Sequence, residues 1–303
     1  MKTNRLLATI AAVVAALPSA AHATTFAVET IAYTPGSDVF LINSNAALGK
    51  PAFAIPGFPA GSFEDPDTGA VINFPLTPAE PLSPFVPHFG GDQLTQIGPG
   101  GELIVRLERF VEVGAGPELG VFGNVGLIDS GGRTATGGAF GIDAIRIEVS
   151  ETGQPGSWAP LAGGDPVVID DPASFFIDAA GVQSPDDTID SLLPLVENLT
   201  EADFGQPFVD ADGPARFTGL TITQIEAELA GSAGGDWFDL NGLLVNGQPL
   251  ERVGFVRFFD PTEPFELMAV SINSDLAGPL VPEPTSIVLL AGVLVASFAT
   301  RTR

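Results

Sequence analysis

Hydrophobic and polar positions alternate with a period of two along much of the chain. In "ELIVRLERFVEV" (residues 102–113) Leu103, Val105 and Leu107 fall on one side, Arg106 and Glu108 on the other. "IDAIRIEVS" (142–150) repeats the pattern, with Ile145, Ile147 and Val149 facing in and Arg146 and Glu148 facing out. Successive side chains of an extended backbone point to opposite sides, so this alternation predicts strands with one buried face. "FTGLTITQIEAEL" (217–229), "LNGLLVNGQPL" (240–250), "VGFVRFF" (253–259) and "FELMAVSI" (265–272) add further short apolar or alternating runs. Between the runs lie "GPGG", "GAGPELG", "DSGGR" and "ETGQPGS", whose glycines, prolines and small polar residues form turns. One stretch differs: "DDTIDSLLPLVENLTEA" (186–202) reads as a helix interrupted at Pro194. Many short strands between Gly/Pro turns predict an all-β body, a β-sandwich or jelly roll, over residues 92–281. Residues 24–91 are dense in proline and are expected to form irregular loops and edge strands around it.

The first residues break this pattern. "MKTNRLLATIAAVVAALPSAAHA" has basic Lys2 and Arg5, an apolar stretch from Leu6 to Leu17, and a small-residue ending at Ala21 and Ala23. That order predicts a helical secretory signal peptide, residues 1–23, cut between Ala23 and Thr24. The chain has no cysteine, which excludes disulfides, zinc-thiolate sites and a cysteine nucleophile. An exported protein of this kind must be held by its core, and 45% apolar content with 22 phenylalanines supplies one.

Charge narrows the partners. The 37 acidic residues against 12 basic ones give a net charge of −25, and Lys2, Arg5, Arg301 and Arg303 lie at the termini. Such a body repels nucleic acid, whose binding depends on Lys and Arg. It attracts cations such as calcium, and the same charge serves solubility.

The end of the chain is "VPEPTSIVLLAGVLVASFATRTR" (281–303). Ile287 to Ala299 is an uncharged apolar run that, with its flanking Thr and Ser residues, spans about 24 Å as a helix, against about 30 Å of hydrocarbon. It is expected to be a short transmembrane helix with Arg301 and Arg303 as a cytoplasmic basic stop. Pro282 and Pro284 hold Glu283 on a stiff extended segment just outside the membrane.

Pro282-Glu283-Pro284, the apolar helix and the terminal arginines, in this order over residues 282–303, resemble the PEP-CTERM sorting signal. The resemblance implies recognition by an exosortase and a transient anchor in the inner membrane. Cutting near the motif would then deliver the protein to the cell surface or extracellular matrix of a Gram-negative bacterium that makes exopolysaccharide. In the body, Gly114-Ala115-Gly116-Pro117-Glu118-Leu119 with Val121-Phe122 is similar to a stretch of many PEP-CTERM surface proteins. So are the strand–turn–tryptophan segment ending at Trp158, "GGDWFDL" (234–240) and "PFELMAVSI" (264–272). Glu118 and Glu266 stand where aspartate is usual, and Asn124 is displaced. This likeness implies a β-sandwich surface domain and names no reaction.

The residues themselves suggest little catalysis. After leader removal His88 is the one histidine, and no GxSxG, HExxH or phosphate loop occurs. The chain is therefore expected not to be an enzyme, with a polysaccharide-binding module, or less so a glycan hydrolase using paired carboxylates, as alternatives. "DADG" (210–213) puts carboxylates on alternate residues before a glycine, and "IDD" (169–171) and "GGD" (234–236) supply more. Calcium takes six to eight oxygen ligands, so Glu118, Asp210, Asp212, Asp236 and Asp239 are its candidates. Pro214 and Thr221 do not continue an EF-hand, and Asp and Gly are also ordinary turn residues.

Overall fold

The computed structural model describes residues 25–57, 61–64, 71–74, 78–186, 188–208 and 212–283. The expected leader with Ala21 and Ala23, Asp210, Pro284, and the apolar tail with Arg301 and Arg303 lie outside the described residues. No helix among the described residues is long and apolar enough to cross a membrane.

The described chain is mostly strand. Its first strands are β1 (Ala27–Thr34), β2 (Ala54–Ile55), β3 (Gly61–Glu64), β4 (Val71–Phe74), β5 (Glu80–Pro81) and β6 (Thr95–Ile97). Then come β7 (Glu102–Glu112), β8 (Leu119–Gly123), β9 (Gly126–Asp129), β10 (Ala135–Phe140), β11 (Asp143–Ser150), β12 (Trp158–Pro160) and β13 (Val167–Ile169). Helices α1 (Ile189–Val196) and α2 (Ile222–Glu228) precede β14 (Asp236–Phe238), β15 (Leu244–Val245), β16 (Gln248–Pro249), β17 (Arg252–Phe259), β18 (Phe265–Ile272) and β19 (Ala277–Leu280).

Two antiparallel sheets organise these strands. The larger runs β1-β7-β17-β11-β12, with β19 also paired to β7 and β13 to β11; the smaller runs β14-β8-β18-β6. Leu103, Val105 and Leu107 of β7 and Ile145, Ile147 and Val149 of β11 are buried, as their alternation requires. They share one hydrophobic cluster with Val256 and Phe258 of β17 and with Leu119, Val121, Leu267 and Ile272 of the smaller sheet.

The smaller sheet is covered on its second face as well. Phe122, Met268 and Ala269 point into another cluster with Phe26, Phe175, Phe176, Phe204 and Leu192 of α1. A strand buried on both faces needs no polar alternation, which is why "FELMAVSI" is almost continuously apolar. The Phe122 ring meets Phe204 at 5.1 Å and Trp237 edge-on at 6.3 Å, as aromatic pairs prefer.

Two segments differ from their expected form. "FTGLTITQIEAEL" contains no strand: its second half is α2, opened by a capping box in which Thr221 and Gln224 satisfy each other's backbone N–H. Ile222, Ile225 and Leu229 recur at helical spacing and are buried. In α1, Pro194 lies inside the helix, which ends two residues later; its missing N–H cannot bond the carbonyl one turn back. Arg106, on the outward side of β7, is also only 9% exposed. Its guanidinium donates to Glu29 at 2.7 Å and to the carbonyl of Val281 at 3.1 Å.

Phe258 is fully buried where the sheets meet, against Phe265. Phe258→Ala should destabilise the body by about 3–5 kcal/mol in denaturant unfolding. A loss below about 1 kcal/mol would mean that the two sheets do not share this core.

Candidate functional site

Two of the acidic segments, "IDD" and "GGD", meet in space. Asp170 and Asp171 follow β13, and Asp236 opens β14. One carboxylate oxygen from each lies within 4.8 Å of the others, the one such group of acidic or metal-ligating residues among the described residues. The backbone N–H groups of Asp170 and Asp171 both donate to Asp236 Oδ2 at 3.2 Å.

Glycines allow this approach. Gly235, at φ 74°, would set a Cβ 2.5 Å from the Phe122 ring, so only glycine passes there. Gly213, the last residue of "DADG", would set one 2.7 Å from Asp170 Oδ2. Gly213 therefore abuts the cluster, with Asp212 exposed at the start of the short 3₁₀ turn Gly213–Phe217.

Burial dominates the chemistry of Asp236. At 9% exposure its carboxyl is pushed well above the usual carboxylate range by desolvation, then by the charges of Asp171 and Asp170; the two N–H donors oppose this. Such a cluster is relieved by a proton or by a cation. Three carboxylates fit the hard oxygen donors calcium prefers, and supply part of its six to eight ligands.

The other calcium candidates stand apart. Glu118 is fully buried, and its two oxygens accept the N–H groups of Gly114 and Leu240, each at 2.7 Å. That pins the "GAGPELG" turn to the chain after β14, and desolvation raises its pKa. Asp239 accepts the N–H of Asn241 at 2.8 Å in an exposed turn. Glu118 and Asp239 lie beyond the Leu119–Phe238 end of the β8–β14 pair, whereas Asp236 pairs with Val121.

His88 is fully buried, and Nε2 hydrogen-bonds the Ala52 carbonyl at 2.9 Å. Burial lowers its pKa to about 4, so the ring is neutral at physiological pH. Phe89 and Phe140 stack at 6.3 Å with both rings partly in solvent, and Ile142 nearby in the chain is exposed too. Sequence reasoning passed over one further buried acid, Glu226 of α2, which is 4% exposed. Only the helical spacing around it, read from the Thr221/Gln224 cap, would have turned it inward. Comparison with known proteins finds no matching family model and no matching curated relative.

Glu226 makes stability depend on pH. Its Oε1 has no hydrogen-bond partner, and burial raises its pKa from 4.5 to about 7; Asp178 adds to the shift, while the Ala179 N–H and Arg133 oppose it. Its protonated form suits the fold, so the contribution is complete below about pH 4.5 and is lost as pH rises through about 7. Glu226→Gln, which cannot ionise, should raise Tm by a few degrees at pH 8, a gain that shrinks towards pH 5. A gain independent of pH would contradict the assignment.

Proposed function

We propose that the protein is an exported surface or matrix protein of a Gram-negative bacterium, sorted by an exosortase at Pro282-Glu283-Pro284, with a β-sandwich body and a structural or adhesive role among exopolysaccharide. One observation carries this reading: the described fold closes at Val281. Val281 is buried, its N–H donates to the Glu108 carbonyl at 2.9 Å, and its own carbonyl accepts from Arg106. Pro282 and Glu283, the next two residues, are exposed. Two residues of the motif are therefore open to a peptidase, and cutting there removes none of the described core. The sequence order of leader, body, motif, apolar run and arginines supports the same reading, and the two facing sheets with one shared core support the sandwich.

A polysaccharide-binding role has its own specific support. The exposed, stacked Phe89 and Phe140 rings offer an apolar face for sugar C–H groups. A calcium ion at Asp170, Asp171 and Asp236 is supported by the mutual reach of their oxygens. It would neutralise charge that burial penalises and would bind the folded state alone.

Two experiments test these readings. Replacing Glu283 and Pro284 by alanine should leave the protein in the inner membrane, measured by cell fractionation; normal release of that variant would contradict sorting at the motif. Millimolar calcium should raise the Tm of the purified protein by several degrees, magnesium less, and Asp236→Asn should remove the effect. A melting curve indifferent to calcium would leave the acidic cluster protonated and without an ion.

A further inference from the structure

A second group of oxygens gathers where the two sheets meet. Asp143 opens β11 of the larger sheet, Glu266 lies on β18 of the smaller one, and Asn124 directly follows β8 beside it. The turn before β11 brings them together. A Cβ on Gly141, at φ 70°, would sit 1.9 Å from the Asn124 carbonyl oxygen, so only glycine passes there. The Asp143 carboxylate accepts the Glu266 N–H, and the Asn124 N–H donates to the Glu266 carbonyl at 3.1 Å.

Glu266 is aimed by amides. Gln96 Nε2 donates to its Oε1 at 2.7 Å, and Asn124 Nδ2 donates to its Oε2 at 2.6 Å. Gln96 is itself buried and fixed, because its own Oε1 accepts the N–H groups of Phe40 and Leu41 at 2.9 and 3.0 Å. A carboxylate oxygen has two lone pairs, so each Glu266 oxygen can still accept once more. Asn124 is only 5% exposed, yet its Oδ1 has no hydrogen-bond partner. That oxygen shares its carbon with the Nδ2 bonded to Glu266, so it lies beside the same carboxylate. A buried acceptor without a donor is costly, and its neighbours here are acceptors too. Neither Asp143 nor Glu266 forms an ion pair among the described residues. Burial, then the charge of Glu266, raises the Asp143 pKa to about 6; the Glu266 N–H opposes this and Glu263 adds to it.

We infer that Asp143, Glu266 and Asn124 Oδ1 hold a calcium ion that ties β11 of the larger sheet to β8 and β18 of the smaller. All three donors are oxygens, two carboxylates match the charge of the ion, and water completes its six to eight ligands. Hydrogen-bonded partners that fix a ligating carboxylate tighten a metal site, and Glu266 has two. Trace calcium therefore fills this site during purification. Calcium added later in millimolar amounts acts at Asp170, Asp171 and Asp236.

The test uses the exported protein, purified without chelator, dialysed, and analysed for metal by plasma mass spectrometry. Wild type and Asp236→Asn should each retain one calcium ion per chain. Asp143→Asn keeps an acceptor for the Glu266 N–H, so it should fold but lose this ion. EGTA should lower the Tm of wild type and of Asp236→Asn by several degrees, micromolar calcium restoring it, and should leave Asp143→Asn unmoved. Asn124→Asp keeps the oxygen and adds charge, so it should retain the ion and fall further in EGTA. A dialysed wild type free of calcium, with a Tm indifferent to EGTA and to micromolar calcium, would overturn the inference and leave the pair to share a proton. Calcium lost from Asp236→Asn but kept by Asp143→Asn would overturn it too, and would give the ion to the Asp170 cluster.

Discussion

The backbone of Glu108 holds both ends of the described body. Its N–H donates to the Phe26 carbonyl at 3.1 Å, and its carbonyl accepts the Val281 N–H at 2.9 Å. β1 and β19, the first and last strands among the described residues, share one edge of β7: β1 pairs along residues 102–107 and β19 along 109–111. A buried strand edge needs its polar groups satisfied, so both termini are required to complete the larger sheet. Arg106 reinforces the junction, bridging Glu29 next to one end and the Val281 carbonyl at the other. With no disulfide to fasten either end, this ladder is what seals the body.

The second constraint is how to bury charge in an acidic protein. Glu118, Glu226 and Asp236 are inside, and each finds a different settlement. Glu118 uses both oxygens as a staple between two loops, where two N–H donors oppose the cost of desolvation. Glu226 has one oxygen without a partner, and burial raises its pKa to about 7. Asp236 has two N–H donors but also two neighbouring carboxylates, the arrangement most relieved by a shared cation. These settlements tie the outer loop layer to the smaller sheet, and that layer covers the sheet's second face.

Much of the strand framework was legible because it follows from one rule. β7 and β11 alternate, and β17 and β18 are apolar runs, so period and hydrophobicity identify them without tertiary information. α2 was hidden because Leu220 and Ile222 alternate with Thr221 and Thr223 as in a strand; the cap between Thr221 and Gln224 decides for helix, and burial of Ile222, Ile225 and Leu229 follows. Asp170, Asp171 and Asp236 were each visible as acids beside turns. Their meeting was not, because it depends on β13 and β14 lying at the edges of different sheets and on two glycines allowing close approach. Burial of His88 was likewise set by packing around a proline-rich loop, which no local pattern encodes.

These features close the described body between Thr25 and Val281, with the expected cut sites immediately outside it. The direct measurement is the intact mass of the protein recovered from outside the cell. The account predicts a chain that begins at Thr24 and ends within Pro282–Pro284. A mass that retains Ile287 to Arg303 would contradict it.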